Sequence, residues 1–243
     1  MNSGIYGAIS GSMGMMNQLD VLANNLANVN TPGYKKDTIR FEAILAATAS
    51  QGSEGAVDIP SLTTAQYSVD FSAGSVKLTD NTFDIALDGD GFFVVNTPEG
   101  KAYTRQGNFK MDVSGKLVTV DGYEVLGGGA PIIINGSSVS FDSKGKMFVE
   151  GQETGIIDVV DFPQPYDLRK MGSALFMPNN PDVTPLPARD TAVMQGHLEG
   201  SNVNALEEMV RMIETTRSSE TCQKMIMNYD QMTGKAVNDL GKV

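Results

Sequence analysis

The chain has 243 residues and a formal net charge of −11, a balance that excludes nucleic acid and anionic membrane as electrostatic partners. Its single cysteine, Cys222, cannot form an internal disulfide, and its single histidine, His197, leaves no Cys and His set for a zinc centre. No run approaches the roughly 18 apolar residues of a membrane helix, so no integral membrane segment is expected.

The first predicted element is a helix from about Ile5 to Val29. Asp20 is the only charge in the first 34 residues. Ile5, Ile9, Ser12, Met16, Leu19, Ala23 and Leu26 follow one another at alternating steps of four and three, the spacing of a coiled-coil seam. A second row, Ala8, Met15, Leu22 and Val29, repeats beside it, so the apolar face is wider than a two-stranded seam needs. The opposite face is polar but nearly uncharged, whereas a helix facing water would carry Lys and Glu there. Such a helix is built to be surrounded by protein. Gly4, Gly7, Gly11 and Gly14 together cost it about 3–4 kcal/mol relative to Ala, so its order depends on neighbours that the glycines allow to approach closely. Asn28 to Gly33 should end it. The cluster Asn24, Asn25, Asn28 and Asn30 has two readings: local termination of the helix, or amides that bond the backbones of adjacent subunits.

Residues 34–80 read as a connector, with the stretch 46–75 rich in Ala, Ser, Thr and Gly and without a period. From Phe83 onward, short apolar runs between turn dipeptides predict antiparallel strands at Phe83–Leu87, Phe92–Asn96, Gly107–Val113, Lys116–Val120, Glu124–Leu126, Ile132–Ile134, Lys146–Glu150 and Gly155–Phe162. One element occurs twice: Asp112-x-x-Gly115-Lys116 is echoed by Asp142-x-x-Gly145-Lys146, which points to a repeated hairpin. Six prolines between residues 162 and 190 predict a loop that wraps this domain.

Beyond Gly200 a second helix is expected, with Asn204 and Glu207 placed as a capping box. Leu206, Met209, Ile213 and Thr216 begin a second seam that resumes, after Ser219 and Cys222, at Ile226 and Tyr229. The expected fold is α+β: N- and C-terminal helices form an antiparallel coiled-coil-like domain, and a central all-β antiparallel domain lies between them. The divisions fall at 1–33, 34–80, 81–199 and 200–243. The candidate functional residues are those of a subunit interface: Ile5, Ile9, Met16, Leu19, Leu22, Ala23, Asn24, Asn25, Leu26, Asn28, Leu206, Met209, Ile213, Ile226 and Tyr229.

Chemistry finds little support. His197 and Cys222 read as structural, and no Gly-x-Ser-x-Gly element accompanies them. Asp88-Gly89-Asp90-Gly91 starts like a calcium loop, but Phe92 and Phe93 occupy its fifth and sixth positions, where a ligand and a glycine are required. No catalytic residue, cofactor or metal is expected. A secreted oligomeric β-domain that binds a carbohydrate or protein ligand, with the helices as a stalk, is the alternative from another class; a metal-dependent enzyme ranks last.

The stretch Leu22-Ala-Asn-Asn-Leu-Ala-Asn-Val-Asn-Thr-Pro-Gly-Tyr-Lys35 resembles the N-terminal motif of the bacterial flagellar axial proteins, the rod and hook family. Glu199-Gly-Ser-Asn-Val-Asn204 resembles that family's mark ahead of its C-terminal helix, and Leu87 to Val95, Tyr103 to Phe109 and Gly115 to Thr119 resemble its β-domain. The short length and the Leu198 to Asn204 segment are most similar to the proximal rod form, with the distal rod as the alternative. Ser219 and Cys222 depart from the pattern, which often has a larger aromatic near the first and a small or amide residue at the second. The resemblance implies export through the flagellar type III apparatus without a cleaved signal. It also implies helical polymerisation with itself and other rod subunits in the periplasm, terminal helices forming the inner tube and β-domains the outer layer.

Overall fold

Two helices bracket nineteen short strands in the computed structural model, which describes residues 3–43, 63–172, 174–188 and 190–240, and the side chains of 7–40, 66–172, 174–188 and 190–235. The chain divides into two units, one of residues 1–27, 36–70 and 203–243 and the other of residues 28–35 and 71–202.

The second unit is antiparallel β throughout its described strands. Its main sheet follows the path Leu168–Gly172, Leu175–Pro178, Gly100–Thr104, Phe92–Thr97, Glu124–Gly127, Leu117–Val118 and Lys110–Met111. The strand Phe92–Thr97 is central, and the period-two alternation of a strand gives it two buried faces. Phe93 and Val95 enter the main core with Ile85, Leu117, Val125 and Met147. Phe92 points the other way, into a cluster of rings made by Phe71, Phe162, Tyr166 and Phe176, with centroids 5.6–6.0 Å from its own. Both copies of the Asp-x-x-Gly-Lys element adopt one geometry. Asp112 Oδ1 accepts the backbone N–H groups of Ser114 and Lys116, each at 2.8 Å, and Asp142 Oδ1 accepts those of Lys144 and Lys146 at 2.9 and 2.8 Å. Gly115 and Gly145 take φ of 77° and 79°, which a residue with a Cβ adopts only at a cost. Each lysine then pairs with a carboxylate, Lys116 with Glu124 and Lys146 with Glu153, and the hydrogen bond to that carboxylate raises both lysine pKa values above the ordinary one.

The other unit contains helix α1, Ser3–Ala27, helix α2, Ala205–Leu240, and a hairpin of Asp37–Ala43 with Thr63–Val69. The two helices pack against each other, and the hairpin lies against α1. Asn204 caps α2, its Oδ1 accepting the N–H groups of Leu206 at 3.2 Å and Glu207 at 3.5 Å. The carboxylate of Glu207 turns to Arg211 at 2.6 Å, the i,i+4 partner.

Several expectations need correction. The proline-rich stretch is not a wrapping loop alone: it contains the strands Leu168–Gly172 and Leu175–Pro178, and the latter is hydrogen-bonded on both edges, to Leu168–Gly172 and to Gly100–Thr104. Of its six prolines, Pro178 and Pro187 end strands and the other four lie between strands, so none interrupts a strand interior. The stretch 34–80 read as a connector carries the strands Asp37–Ala43, Thr63–Val69 and Val76–Leu78, and its residues 44–62 lie outside the described ones. Ile132–Ile134 is no strand, although Ile132 and Ile134 are buried; Gly155–Phe162 divides into parts of Gln152–Ile156 and Val159–Asp161. At that break, the Asp158 carboxylate turns to the backbone N–H groups of Gly128 and Gly129, each at 2.8 Å.

Candidate assembly surface

On α2, the residues between Ala205 and Lys235 that are not exposed are Ala205, Glu208, Met212, Thr215, Ser219, Cys222, Ile226 and Tyr229. Their steps alternate three and four without a break, so they form one stripe along the helix. On α1, Ala8, Ser12, Met15, Leu19, Leu22 and Leu26 are half-buried or buried at steps of four and three. These stripes face inward. Small residues dominate much of the α2 stripe, which lets a neighbouring backbone come near but offers little apolar area.

Other large apolar side chains of both helices point outward. Met13 and Met16 on α1 are 62% and 58% exposed and are joined by Ile9 and Ala23; Leu206 and Ile213 on α2 are 68% and 55% exposed and are joined by Met209 and Val210. Met225, Met227 and Met232 are exposed further along. Full burial of one such side chain stabilises by about 1.5–3 kcal/mol. A Cβ placed on Gly7 or Gly11 would meet nothing within 4 Å among the described residues, so none of them uses the room these glycines leave.

The predicted interface residues therefore divide between two faces. Ile9, Met16, Ala23, Leu206, Met209 and Ile213 lie outward, while Leu19, Leu22, Leu26, Ile226 and Tyr229 lie inward. Ile5 falls outside the described side chains. Asn24 is exposed and donates to Asp37 Oδ2 at 3.3 Å, and Asn28 Oδ1 accepts the Thr31 hydroxyl at 3.2 Å in the turn after α1. Asn25, read as an interface amide, is 1% exposed and engaged within its own chain. Its Nδ2 donates to Asp37 O at 2.9 Å and to Glu208 Oε2 at 3.1 Å, and its Oδ1 accepts Asp37 N–H at 2.9 Å. Glu208 is fully buried, and Lys36 Nζ lies 2.7 Å from its Oε1, which compensates the desolvated charge. Lys36, Asp37 and Glu208 escaped the sequence reading because no helical spacing links them to α1. Met13 and Val210 were findable, lying at helical steps from Ile9 and Leu206.

Among the described residues no three His, Cys, Asp or Glu side chains group so as to hold a metal ion. His197 Nδ1 lies 2.8 Å from its neighbour Gln195 O. The chemistry on offer is apolar contact along two helices.

Three family matches fall on the parts just described. Residues 5–35 match the flagella basal body rod protein family, residues 86–149 the flagellar hook protein FlgE/F/G D1 domain, and residues 194–240 the flagellar basal body rod FlgEFG protein C-terminal family. The chain is 35% identical to the flagellar basal-body rod protein FlgG of Bacillus subtilis, over 96% of this chain and 97% of that one. The chain belongs to the flagellar basal-body rod family. It is 32% identical to the rod protein FlgF of Rhizobium meliloti over 99% of both chains, and 32% identical to FlgF of Caulobacter vibrioides over the full length of both. Membership makes it a structural protein of the flagellar basal body rather than an enzyme, and displaces the stalked ligand-binding reading. No described helix is long and apolar enough to cross a membrane.

Proposed function

We propose that the outward stripes of α1 and α2 bind the same helices of neighbouring rod subunits, so that the chain polymerises helically into the periplasmic rod. The observation that carries this reading is the exposure of Met13, Met16, Leu206 and Ile213 on a protein whose inward stripes are already occupied. Contiguous exposed apolar residues on helices are a surface awaiting a partner. The open space at Gly7 and Gly11 supports close approach by a second helix. Within each subunit, the three-and-four spacing of the inward residues supports an antiparallel, coiled-coil-like pairing of α1 with α2.

In this reading the helices line a tube through which exported subunits pass, and the tube transmits motor torque to the hook and filament. The chain reaches the periplasm through the flagellar type III export apparatus without a cleaved signal, and its partners are itself and the other rod subunits. The 243-residue length and the Leu198 to Asn204 segment support the proximal rod position; the distal rod is the alternative, and the position of the labelled chain along isolated rods separates them.

Met16→Asp and Ile213→Asp test the proposal. Both side chains are exposed, so the free protein keeps its stability to within about 0.5 kcal/mol. In the assembled rod each would bury an unpaired charge. Both variants should be exported and absent from purified basal bodies, and the cells should not swim. Normal incorporation of both would overturn the assignment.

A further inference from the structure

Three charged residues are buried in the β-unit where an interface account gives them no role. Lys35, Arg105 and Glu199 are 1%, 5% and 2% exposed. Glu199 Oε1 accepts Lys35 Nζ at 2.7 Å and the Gly74 N–H at 2.9 Å, Oε2 lies 3.4 Å from Arg105 Nη1, and the Glu199 carbonyl accepts the Gly33 N–H at 2.8 Å. Lys35 Nζ also donates to Ser72 O at 2.8 Å, and Arg105 Nη2 to Gly89 O at 2.7 Å. Segments around residues 33, 74, 105 and 199 thus converge on one glutamate. Glycines permit the convergence: a Cβ on Gly33 would stand 2.4 Å from the carbonyl carbon of Arg105, and one on Gly74 would stand 2.0 Å from Gly200 O.

Burial of three ions carries a desolvation cost that apolar residues of similar volume would avoid, so stability alone does not account for the group. Its position does. The chain passes out of this unit after Lys35 and again after Asn202. Both departing segments are therefore tied to the β-unit, and to each other, through the same carboxylate. Buried charge-assisted hydrogen bonds are directional and short, whereas apolar contacts can slide.

We propose that Lys35, Glu199 and Arg105 form an ionic clamp that holds both departing segments on the β-unit and passes mechanical load into it. This rests on the rod reading for the origin of the load. The clamp itself is tested on the purified full chain by hydrogen exchange. Lys35→Met leaves Glu199 paired with Arg105, so the fold keeps a balanced pair. Amides of residues 28–35 should then exchange about tenfold faster or more, while those of Phe92–Thr97 and Glu124–Gly127 are unchanged. Glu199→Gln should extend the acceleration to residues 72–75 and 199–202. Unchanged exchange at 28–35 in both variants, or equal acceleration in the two core strands, would overturn the clamp.

Its mechanical role has a separate readout. Cells carrying Lys35→Met should build rods with normal incorporation and lose swimming speed more steeply than wild type as medium viscosity rises. An identical viscosity dependence would overturn the load role. Absence of the wild-type chain from isolated rods would instead overturn the rod reading, leaving the exchange result to stand by itself.

Discussion

The side-chain amide of Asn25, near the end of α1, donates to the buried carboxylate of Glu208 in the first turns of α2 at 3.1 Å. The same amide exchanges two hydrogen bonds of 2.9 Å with the backbone of Asp37. One side chain thus joins both helices and the hairpin of their unit.

Asn25→Ala should therefore lower the stability of the helical unit by about 1–3 kcal/mol, because it removes three hydrogen bonds, two to the Asp37 backbone and one to the Glu208 carboxylate, which keeps only Lys36 of the two partners described above. Asn24→Ala, at an exposed neighbour whose amide meets the Asp37 carboxylate at 3.3 Å, should change it by less than about 0.5 kcal/mol. Urea titration followed by helical circular dichroism measures both.

Gly11 separates the needs of the free chain from those of the rod. Gly11→Ala should stabilise the helix of the free protein by about 0.8–1 kcal/mol, since alanine is the better helix former and its Cβ meets no described residue within 4 Å. Incorporation into basal bodies should nonetheless fall, because the added methyl occupies room the proposed neighbour needs. Equal incorporation of wild type and variant would show that the gap at Gly11 is not used.

The two Asp-x-x-Gly-Lys turns should respond alike. Asp112→Ala and Asp142→Ala each remove a carboxylate oxygen that accepts two backbone N–H groups, so each should cost about 1.5–3 kcal/mol of β-unit stability. Thermal unfolding of the two single variants compares them directly.

Burial in the aromatic cluster pushes the Tyr166 pKa from 10.0 up to about 12, and the nearby Asp161 carboxylate, which accepts its hydroxyl at 2.9 Å, adds to the rise. The folded state holds this proton more tightly than the unfolded state does. The stability that the neutral phenol contributes is therefore fully present below pH 10 and is lost as pH rises from there toward 12. Tyr166→Phe should remove a late ionisation from the ultraviolet titration of the folded protein and flatten the alkaline fall in stability.

Local features of the fold were legible in the sequence, and long-range ones were not. The Asp112 and Asp142 turns are short-range devices, since an aspartate, a glycine and their spacing suffice to specify them. Helix α1 could be read from its period, yet periodicity alone did not tell that the inward stripe takes Ser12, Leu19 and Leu26 from one apolar row and Ala8, Met15 and Leu22 from the other. On α2 the reading followed the large residues Leu206, Met209 and Ile213, whereas the inward stripe is marked by Glu208, Thr215 and Ser219, whose polarity hides it from any hydrophobic pattern. The strand Thr63–Val69 shows no alternation because Gln66, Tyr67 and Ser68 are all exposed. The bonds from Glu199 to Lys35 and from Glu208 to Asn25 span 164 and 183 residues, distances at which spacing carries no information.

Methionine oxidation tests the assembly surface most directly, because it reads thioether exposure side chain by side chain. Met13, Met16, Met209, Met225, Met227 and Met232 are exposed in the free chain, while Met147 is buried in the β-core and reports on folding. With dilute peroxide, the exposed methionines of the purified protein should oxidise quickly and Met147 slowly. In intact basal bodies Met13, Met16 and Met209 should become protected while Met147 is unchanged. Equal oxidation of Met13, Met16 and Met209 in the free chain and in the assembled rod would contradict the claim that the outward faces of α1 and α2 hold the subunits together.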